Sequence, residues 1–127
     1  MPLVTLTIRE GKSAEFKSAT LGAVHSALLA SGVPEKDRFQ RVLELSSDDF
    51  SFDSEYPDLT AHRTDDFILI EIVLSVGRNL KVKKKIVADI LVRLAKYPGL
   101  NAENVMVCFT ETLWENWSFG GGRFFYA

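Results

Sequence analysis

Three residues of this sequence could together transfer protons: a proline near the start, an aspartate and an arginine. Pro2 follows Met1 directly, and removal of that methionine would leave a secondary amine, a base and nucleophile that no other residue supplies. Asp37 lies in a turn between a helical pattern and a strand pattern, and Arg78 follows the longest apolar run. Because loops on a rigid scaffold often hold functional groups, we treat these residues as candidates for an acid–base site.

Each candidate also has a purely structural explanation. Proline is tolerated as the first residue of a strand, where its missing amide hydrogen does no harm. Asp37 and Arg38 are adjacent and could form a surface ion pair, which contributes little to stability. Arg78 could be a solvated residue, but it stands near a predicted helix start, where a cation is electrostatically unfavourable. That mismatch favours a functional role for Arg78.

The C-terminal stretch W-E-N-W-S-F-G-G-G-R-F-F-Y-A combines aromatic residues with three consecutive glycines. No helical pattern follows these glycines, so they do not match a phosphate-binding loop. Aromatic side chains with glycine hinges let a terminal segment fold across a neighbour and line its pocket. Trp117 and Phe119 are therefore candidates for a pocket wall, with structural packing as an equal alternative.

Other kinds of site find little support in the sequence. His25 falls within a helical pattern and His62 in an acidic connection, and neither has a Cys or His partner at metal-ligand spacing. We expect His25 near the helix surface, and we expect no metal and no cofactor. No serine has the context of a nucleophile elbow. Cys108, the single cysteine, lies in an apolar run and is predicted to be a buried packing residue.

Length and composition indicate one domain that spans residues 1–127. The chain is 46% apolar and 25% charged, which is typical of a globular protein with its own core. Its net charge of −2 provides no positive field for nucleic acid or an anionic membrane. The longest apolar stretch, 67–76, is too short to cross a bilayer, and no signal sequence opens the chain. We therefore expect a cytoplasmic protein without a nucleic-acid or membrane partner.

The elements that must position the candidates form a β-α-β unit that occurs twice. Apolar residues alternate in the strand segments and recur at helical spacing between them. Ser13 and Asn79 are suitable N-caps for the two helices. The units fall in residues 2–45 and 67–112, and the aromatic tail in residues 113–127. The predicted elements are strands 3–9, 39–45, 67–76 and 104–110 and helices 14–31 and 80–97.

Two right-handed crossovers predict an α+β fold, a four-stranded sheet with both helices on one face. Leu3, Leu69 and Val73 alternate with the core-facing residues of their strands, so they point to the face that no helix covers. An apolar face of that size is typical of an association surface. The sequence therefore predicts an oligomer in which sheets pack against one another.

These features together resemble the tautomerase superfamily, and within it the malonate semialdehyde decarboxylase branch. The resemblance covers almost the whole chain and rests on four features. They are Pro2 at the start of a strand, V-P-E-K-D-R-F-Q after the first helix, G-R after the central strand, and W-S-F-G-G-G-R-F in the tail. The resemblance implies a homotrimer whose sheets form a central barrel, with sites between subunits and a small carboxylate-bearing substrate.

The resemblance also implies a role for each candidate. Pro2 corresponds to the catalytic amino-terminal proline, Asp37 to an aspartate that assists the reaction, and Arg78 to an arginine that binds the substrate carboxylate. Trp117 and Phe119 correspond to aromatic residues of the pocket wall. An α-amino group has a pKa of about 7.7–8.0, and desolvation lowers it. A neutral Pro2 could therefore act as a base near neutral pH.

This chain departs from the branch in one place. The decarboxylase pattern has two arginines as R-x-R after the central strand, whereas this chain has Val76 at the first position. Arg38, Arg63 or Arg123 could supply a second cation. The departure favours cofactor-independent keto–enol tautomerisation of a small 2-oxo or 3-oxo acid. Decarboxylation or hydration, in which a cationic Pro2 polarises a carbonyl, and a noncatalytic trimeric scaffold are the alternatives.

Overall fold

Four strands form one sheet in a computed structural model that describes residues 2–124; Met1 and the last tail residues, 125–127, lie outside the described residues. The strand order is β2-β1-β3-β4. β1 and β2 are parallel, β3 and β4 are parallel, and the central strands β1 and β3 are antiparallel. The strands are β1 (Leu3–Arg9), β2 (Phe39–Leu45), β3 (Ile68–Ser75) and β4 (Val105–Thr112).

Each parallel pair is connected through a helix, α1 (Ala14–Ala30) or α2 (Leu80–Lys96). Both predicted N-caps are confirmed. The Ser13 side chain accepts a hydrogen bond from the backbone N–H of Phe16, and that of Asn79 accepts one from Val82, which satisfies a donor that the first helical turn leaves unpaired. The two β-α-β units and the predicted fold class are thus confirmed. Among the helices of residues 2–124, none is both long and apolar enough to cross a membrane.

The core lies between the helices and one face of the sheet. Alternate residues of the two central strands point into it, as the two-residue period of a strand requires. The helices contribute residues spaced three or four apart, so both helices cover the same face. Burial of these side chains is the main favourable term in folding. The fully buried residues include Val4, Leu6, Ile8, Ile70, Ile72, Val24, Leu28, Ile86, Ile90 and Leu94.

The opposite face is more polar than the sequence predicted. Leu3 pairs with Val73, as expected for an apolar row, but the next row pairs Thr5 with Glu71 on one side and Arg41 on the other. The Arg41 side chain donates a hydrogen bond of 2.9 Å to the Thr5 hydroxyl. The uncovered face therefore alternates apolar and polar rows, whereas the prediction considered only the apolar positions.

Cys108 also lies on this uncovered face. Its partner in β3 is Glu71, and its side chain is exposed, so the prediction of a buried packing residue is wrong. The reason is strand parity: Val105, Val107 and Phe109 pack against the core, and the residues between them point the other way. This alternation could not be recognised in the sequence, because the residues of the run are apolar on both faces of the strand.

Two residues of α2 test where the core ends. Ile90 is fully buried, whereas Val92 is 54% exposed. We expect Ile90→Ala to lower the free energy of unfolding by about 2–5 kcal/mol, since it leaves a cavity. The control Val92→Ala, on the same helix, should change it by less than about 0.5 kcal/mol. Urea denaturation followed by circular dichroism measures both, and equal effects would contradict this core boundary.

Candidate active site

The sheet register brings three candidates to one end of the sheet. β1 and β2 start side by side, with Leu3 opposite Phe39, and the end of β3 lies beside the start of β1 because these strands are antiparallel. Pro2 precedes β1, Asp37 precedes β2, and Arg78 follows β3. Pro2 is buried, whereas Asp37 and Arg78 are half-buried. The buried Pro2 is therefore flanked by segments that carry a carboxylate and a guanidinium.

A tight turn holds Asp37 in place. Its backbone N–H donates to the carbonyl of Pro34 at 3.0 Å. The ring of His25, on α1, donates a hydrogen bond from Nε2 to the carbonyl of Glu35 at 3.0 Å, and His25 is only 5% exposed. The prediction of a surface histidine is therefore wrong. His25 instead ties this turn to the core, a role that helical spacing alone could not indicate.

Arg78 owes its position to the turn that ends β3. Gly77 has a φ of +127°, a conformation that side chains other than glycine rarely adopt. The guanidinium of Arg78 has no hydrogen bond or ion pair with any other residue of the described chain. Because an arginine stays charged at all ordinary pH values, this half-buried cation is available to an anionic ligand.

The aromatic candidates stack beside the start of β2. The rings of Trp117 and Phe119 are stacked, with centroids 5.6 Å apart and an interplanar angle of 14°. Phe119 also contacts Phe39, with centroids 5.4 Å apart. The indole nitrogen of Trp117 is buried without a hydrogen-bond partner in residues 2–124. The structure thus brings both predicted wall residues to the same end of the sheet as Pro2.

Arg63 lies at the other end of the molecule. Its guanidinium donates to the carbonyls of Asp53 and Tyr56 and lies 5.2 Å from the ring of Phe67, which immediately precedes β3. Asp53 stabilises the same connection, because its carboxylate accepts hydrogen bonds from the backbone N–H groups of Glu55 and Tyr56. These hydrogen bonds lower the pKa of Asp53, and the charge of Arg63 makes a smaller contribution in the same direction. Arg63 is therefore a structural residue of the connection and does not reach the site.

The other two candidate cations differ in their surroundings. The Arg38 Nε donates to the side chain of Gln40 at 2.9 Å, and Gln40 in turn donates to the carbonyl of Leu21 on α1. Arg38 is thus tied to the helix-covered side of the sheet. Arg123 lies in the tail near Phe119, and its guanidinium has no such hydrogen bond to another residue in the part of the chain that the structure describes.

No group of three or more His, Cys, Asp or Glu side chains in residues 2–124 is placed to hold a metal ion. The converging groups are instead a ring nitrogen, a carboxylate, a guanidinium and aromatic rings. With Met1 removed, these groups can bind a small organic anion and move a proton within it.

Comparisons with known proteins identify a family and several similar proteins. A family described as "Tautomerase enzyme" matches residues 37–120. The chain is 31% identical over 124 residues to the probable tautomerase YusQ of Bacillus subtilis (strain 168), covering 97% of this chain and 96% of that protein. It is also similar to the solved structure of FG41 malonate semialdehyde decarboxylase inhibited by 3-bromopropiolate, with a TM-score of 0.89 and 29% identity over 98% of this chain and 93% of that chain.

A more distant solved structure shares the fold alone. It is a fused 4-OT wild-type symmetric trimer, with a TM-score of 0.75 and 19% identity over 95% of this chain and 94% of that chain.

Gly77 provides a test of how the arginine turn is built. A Cβ at Gly77 would meet no atom within 4 Å, so Gly77→Ala introduces backbone strain without a collision. We expect it to lower the free energy of unfolding by about 1–3 kcal/mol. The control Gly22→Ala, inside α1 and equally free of contacts, should leave it unchanged or raise it by up to about 1 kcal/mol. Thermal denaturation distinguishes them, and a neutral Gly77→Ala would contradict the strained turn.

Proposed function

Since the chain belongs to the tautomerase enzyme family, we propose that it is a cofactor-independent enzyme that interconverts the keto and enol forms of a small 2-oxo or 3-oxo acid. The sequence motifs predicted this family and its malonate semialdehyde decarboxylase-like branch, and both are confirmed. The observation that supports the proposal most directly is the convergence of Pro2, Asp37 and Arg78 at one end of the sheet.

Pro2 is proposed as the proton carrier. After removal of Met1, its ring nitrogen is a secondary amine at the start of β1. Pro2 is buried, and burial disfavours the charged form of an amine, so a large fraction of the amine would be neutral near pH 7. The neutral nitrogen takes the proton from the enol hydroxyl as the carbonyl forms, and the resulting ammonium returns a proton to the adjacent carbon. The cycle leaves the enzyme unchanged and needs no cofactor.

Arg78 and Asp37 are proposed to orient the reactants. The unengaged guanidinium of Arg78 would bind the substrate carboxylate through two parallel hydrogen bonds. Asp37, held by its turn, would orient the ammonium form of Pro2 and stabilise its charge. Holding the substrate at a fixed distance from the base makes the proton transfer effectively intramolecular.

The assembly is proposed to be a homotrimer built on the uncovered face of the sheet. The distant structural relative is a symmetric trimer, and this face carries partly buried apolar side chains, Leu3 and Val73 among them. A closed ring joins two different surfaces of each copy. Such a ring would cover the face and place the aromatic tail near a neighbouring subunit. The active site would then lie between subunits, as the resemblance implies.

Decarboxylation is a second candidate, supported by the similarity to a malonate semialdehyde decarboxylase. Val76 stands where that branch has its first arginine, and it is 37% exposed. A valine cannot hold the substrate carboxylate in the orientation that loss of carbon dioxide requires, so we expect tautomerisation to be faster. Acetaldehyde release from malonate semialdehyde measures the second activity, and a rate above that of enol ketonisation would reverse this order.

Two substitutions test the mechanism. Pro2→Ala exchanges the rigid secondary ring amine for a freely rotating primary amine and should lower kcat by up to about 10²–10⁴-fold, the range of acid–base catalysis. Arg78→Ala removes a charge-assisted hydrogen bond and should raise KM by roughly tenfold or more. Arg93→Ala is the control, because Arg93 pairs with Asp89 on the surface of α2. Ketonisation of phenylenolpyruvate, followed by ultraviolet absorbance, measures all three, and full activity in Pro2→Ala and Arg78→Ala would exclude the mechanism.

The intact mass of the protein from its native host tests the premise that Pro2 is the amino-terminal residue. We expect the mass to lack one methionine residue, because proline is small enough for its preceding methionine to be removed. The activity should then follow the ionisation of one amine. A chain that keeps Met1 throughout would support the noncatalytic scaffold instead, since an amide nitrogen cannot accept the proton.

A further inference from the structure

The aromatic tail ends in a small hairpin whose geometry suggests a second binding position. β5 (Ser118–Gly120) and β6 (Arg123–Phe124) are antiparallel. The Ser118 hydroxyl donates to the carbonyl of Arg123 at 2.9 Å. This hydrogen bond, together with the strand pairing, fixes the backbone from which the Arg123 side chain extends.

The guanidinium of Arg123 lies directly over Gly121. A Cβ at Gly121 would be 2.6 Å from Nη1 and 2.9 Å from Cζ of that guanidinium, closer than such atoms approach one another. The side chain therefore occupies the space that any residue other than glycine would fill. Its guanidinium has no hydrogen bond or ion pair with another residue of the described chain, so its charge is not neutralised locally.

A cleft opens beside this cation. It has a volume of about 270 Å³ and is lined by Phe119, Gly120, Arg123 and Phe124. Phe119 is the wall shared with the candidate active site, because it also contacts Phe39 at the start of β2. An arginine between aromatic rings is well suited to a carboxylate, since the planar guanidinium donates two parallel hydrogen bonds to it.

We propose that this hairpin cleft, the 118–124 cleft, binds a second carboxylate of the substrate, so that the preferred substrates are dicarboxylic oxo acids. The inference rests on the proposed function for the reaction, but the binding position is independent of it. Arg78 would hold the carboxylate next to the reacting carbon, and Arg123 the distant one. The chain would thus have its second cation on the tail hairpin, in place of the arginine that Val76 replaces.

Two neighbouring glycines provide a matched test. Gly121 and Gly122 have nearly the same positive φ, +66° and +71°, but only at Gly121 would a Cβ collide with the Arg123 guanidinium. Gly121→Ala should therefore displace the guanidinium, whereas Gly122→Ala imposes similar backbone strain and leaves it in place. Arg123→Gln removes the charge and keeps a side chain of similar reach.

The probes are succinate and butyrate, a dicarboxylate and a monocarboxylate with the same number of carbons, titrated by isothermal calorimetry. We expect the native protein to bind succinate at least about tenfold more tightly than butyrate, the effect of one added charge-assisted interaction. Gly121→Ala and Arg123→Gln should abolish that preference, and Gly122→Ala should retain it. Butyrate affinity should be the same in all four proteins.

Three results would overturn the inference. The first is a native protein that binds succinate no more tightly than butyrate, and the second is a preference for succinate that survives in both Gly121→Ala and Arg123→Gln. The third is dissociation of the Arg123→Gln variant, measured by light scattering, because the guanidinium would then bridge subunits. Failure of the proposed function has a different signature. A native protein that prefers succinate but does not ketonise phenylenolpyruvate would support binding in the 118–124 cleft and contradict only the tautomerase mechanism.

Discussion

The antiparallel pairing of β1 with β3 is the constraint on which the rest of this structure depends. Within each β-α-β unit the strands are parallel, so a unit alone places its two strand starts at one end of the sheet. Joining the units through antiparallel central strands brings the end of β3 to the start of β1. Pro2 and Arg78 lie at the same end of the sheet only because of this pairing. A parallel arrangement would separate Pro2 from Arg78 by about the length of a strand.

The same pairing explains why Pro2 and Arg78 differ in solvent exposure. β1 has a neighbour on both edges and helices on one face, and Pro2, at its start, is buried. Arg78 lies beyond the end of β3, where the sheet no longer covers it, and remains half-buried. The proposed base and the proposed carboxylate-binding guanidinium thus lie in different environments at one end of the sheet. Desolvation acts on the first group, while water still stabilises the second.

The sequence predicted the elements well because each has a local cause. Alternation in the strands and the Ser13 and Asn79 caps located every main strand and helix within two residues. The errors lie where the answer depends on packing between elements. His25 is held by the Glu35 carbonyl, a contact that no spacing within α1 reveals, and the exposure of Cys108 depends on which parity of β4 faces the core. The position of Arg123 over Gly121 depends on the conformation of a turn, and a run of three glycines does not determine that conformation.

The resemblance to the malonate semialdehyde decarboxylase branch implies an arginine where this chain has Val76, and the structure of this position matters beyond its lack of charge. The backbone N–H of Val76 donates to the carbonyl of Thr112 at 2.9 Å, so this position is an extension of the β3–β4 pairing and is as rigid as the sheet. A cation there would have one fixed distance to Arg78. Arg123 instead stands on a two-stranded hairpin that contacts the sheet through Phe119 and Phe39. In the proposed arrangement, the second cation is therefore positioned by the packing of this hairpin against the sheet and not by the sheet pairing itself.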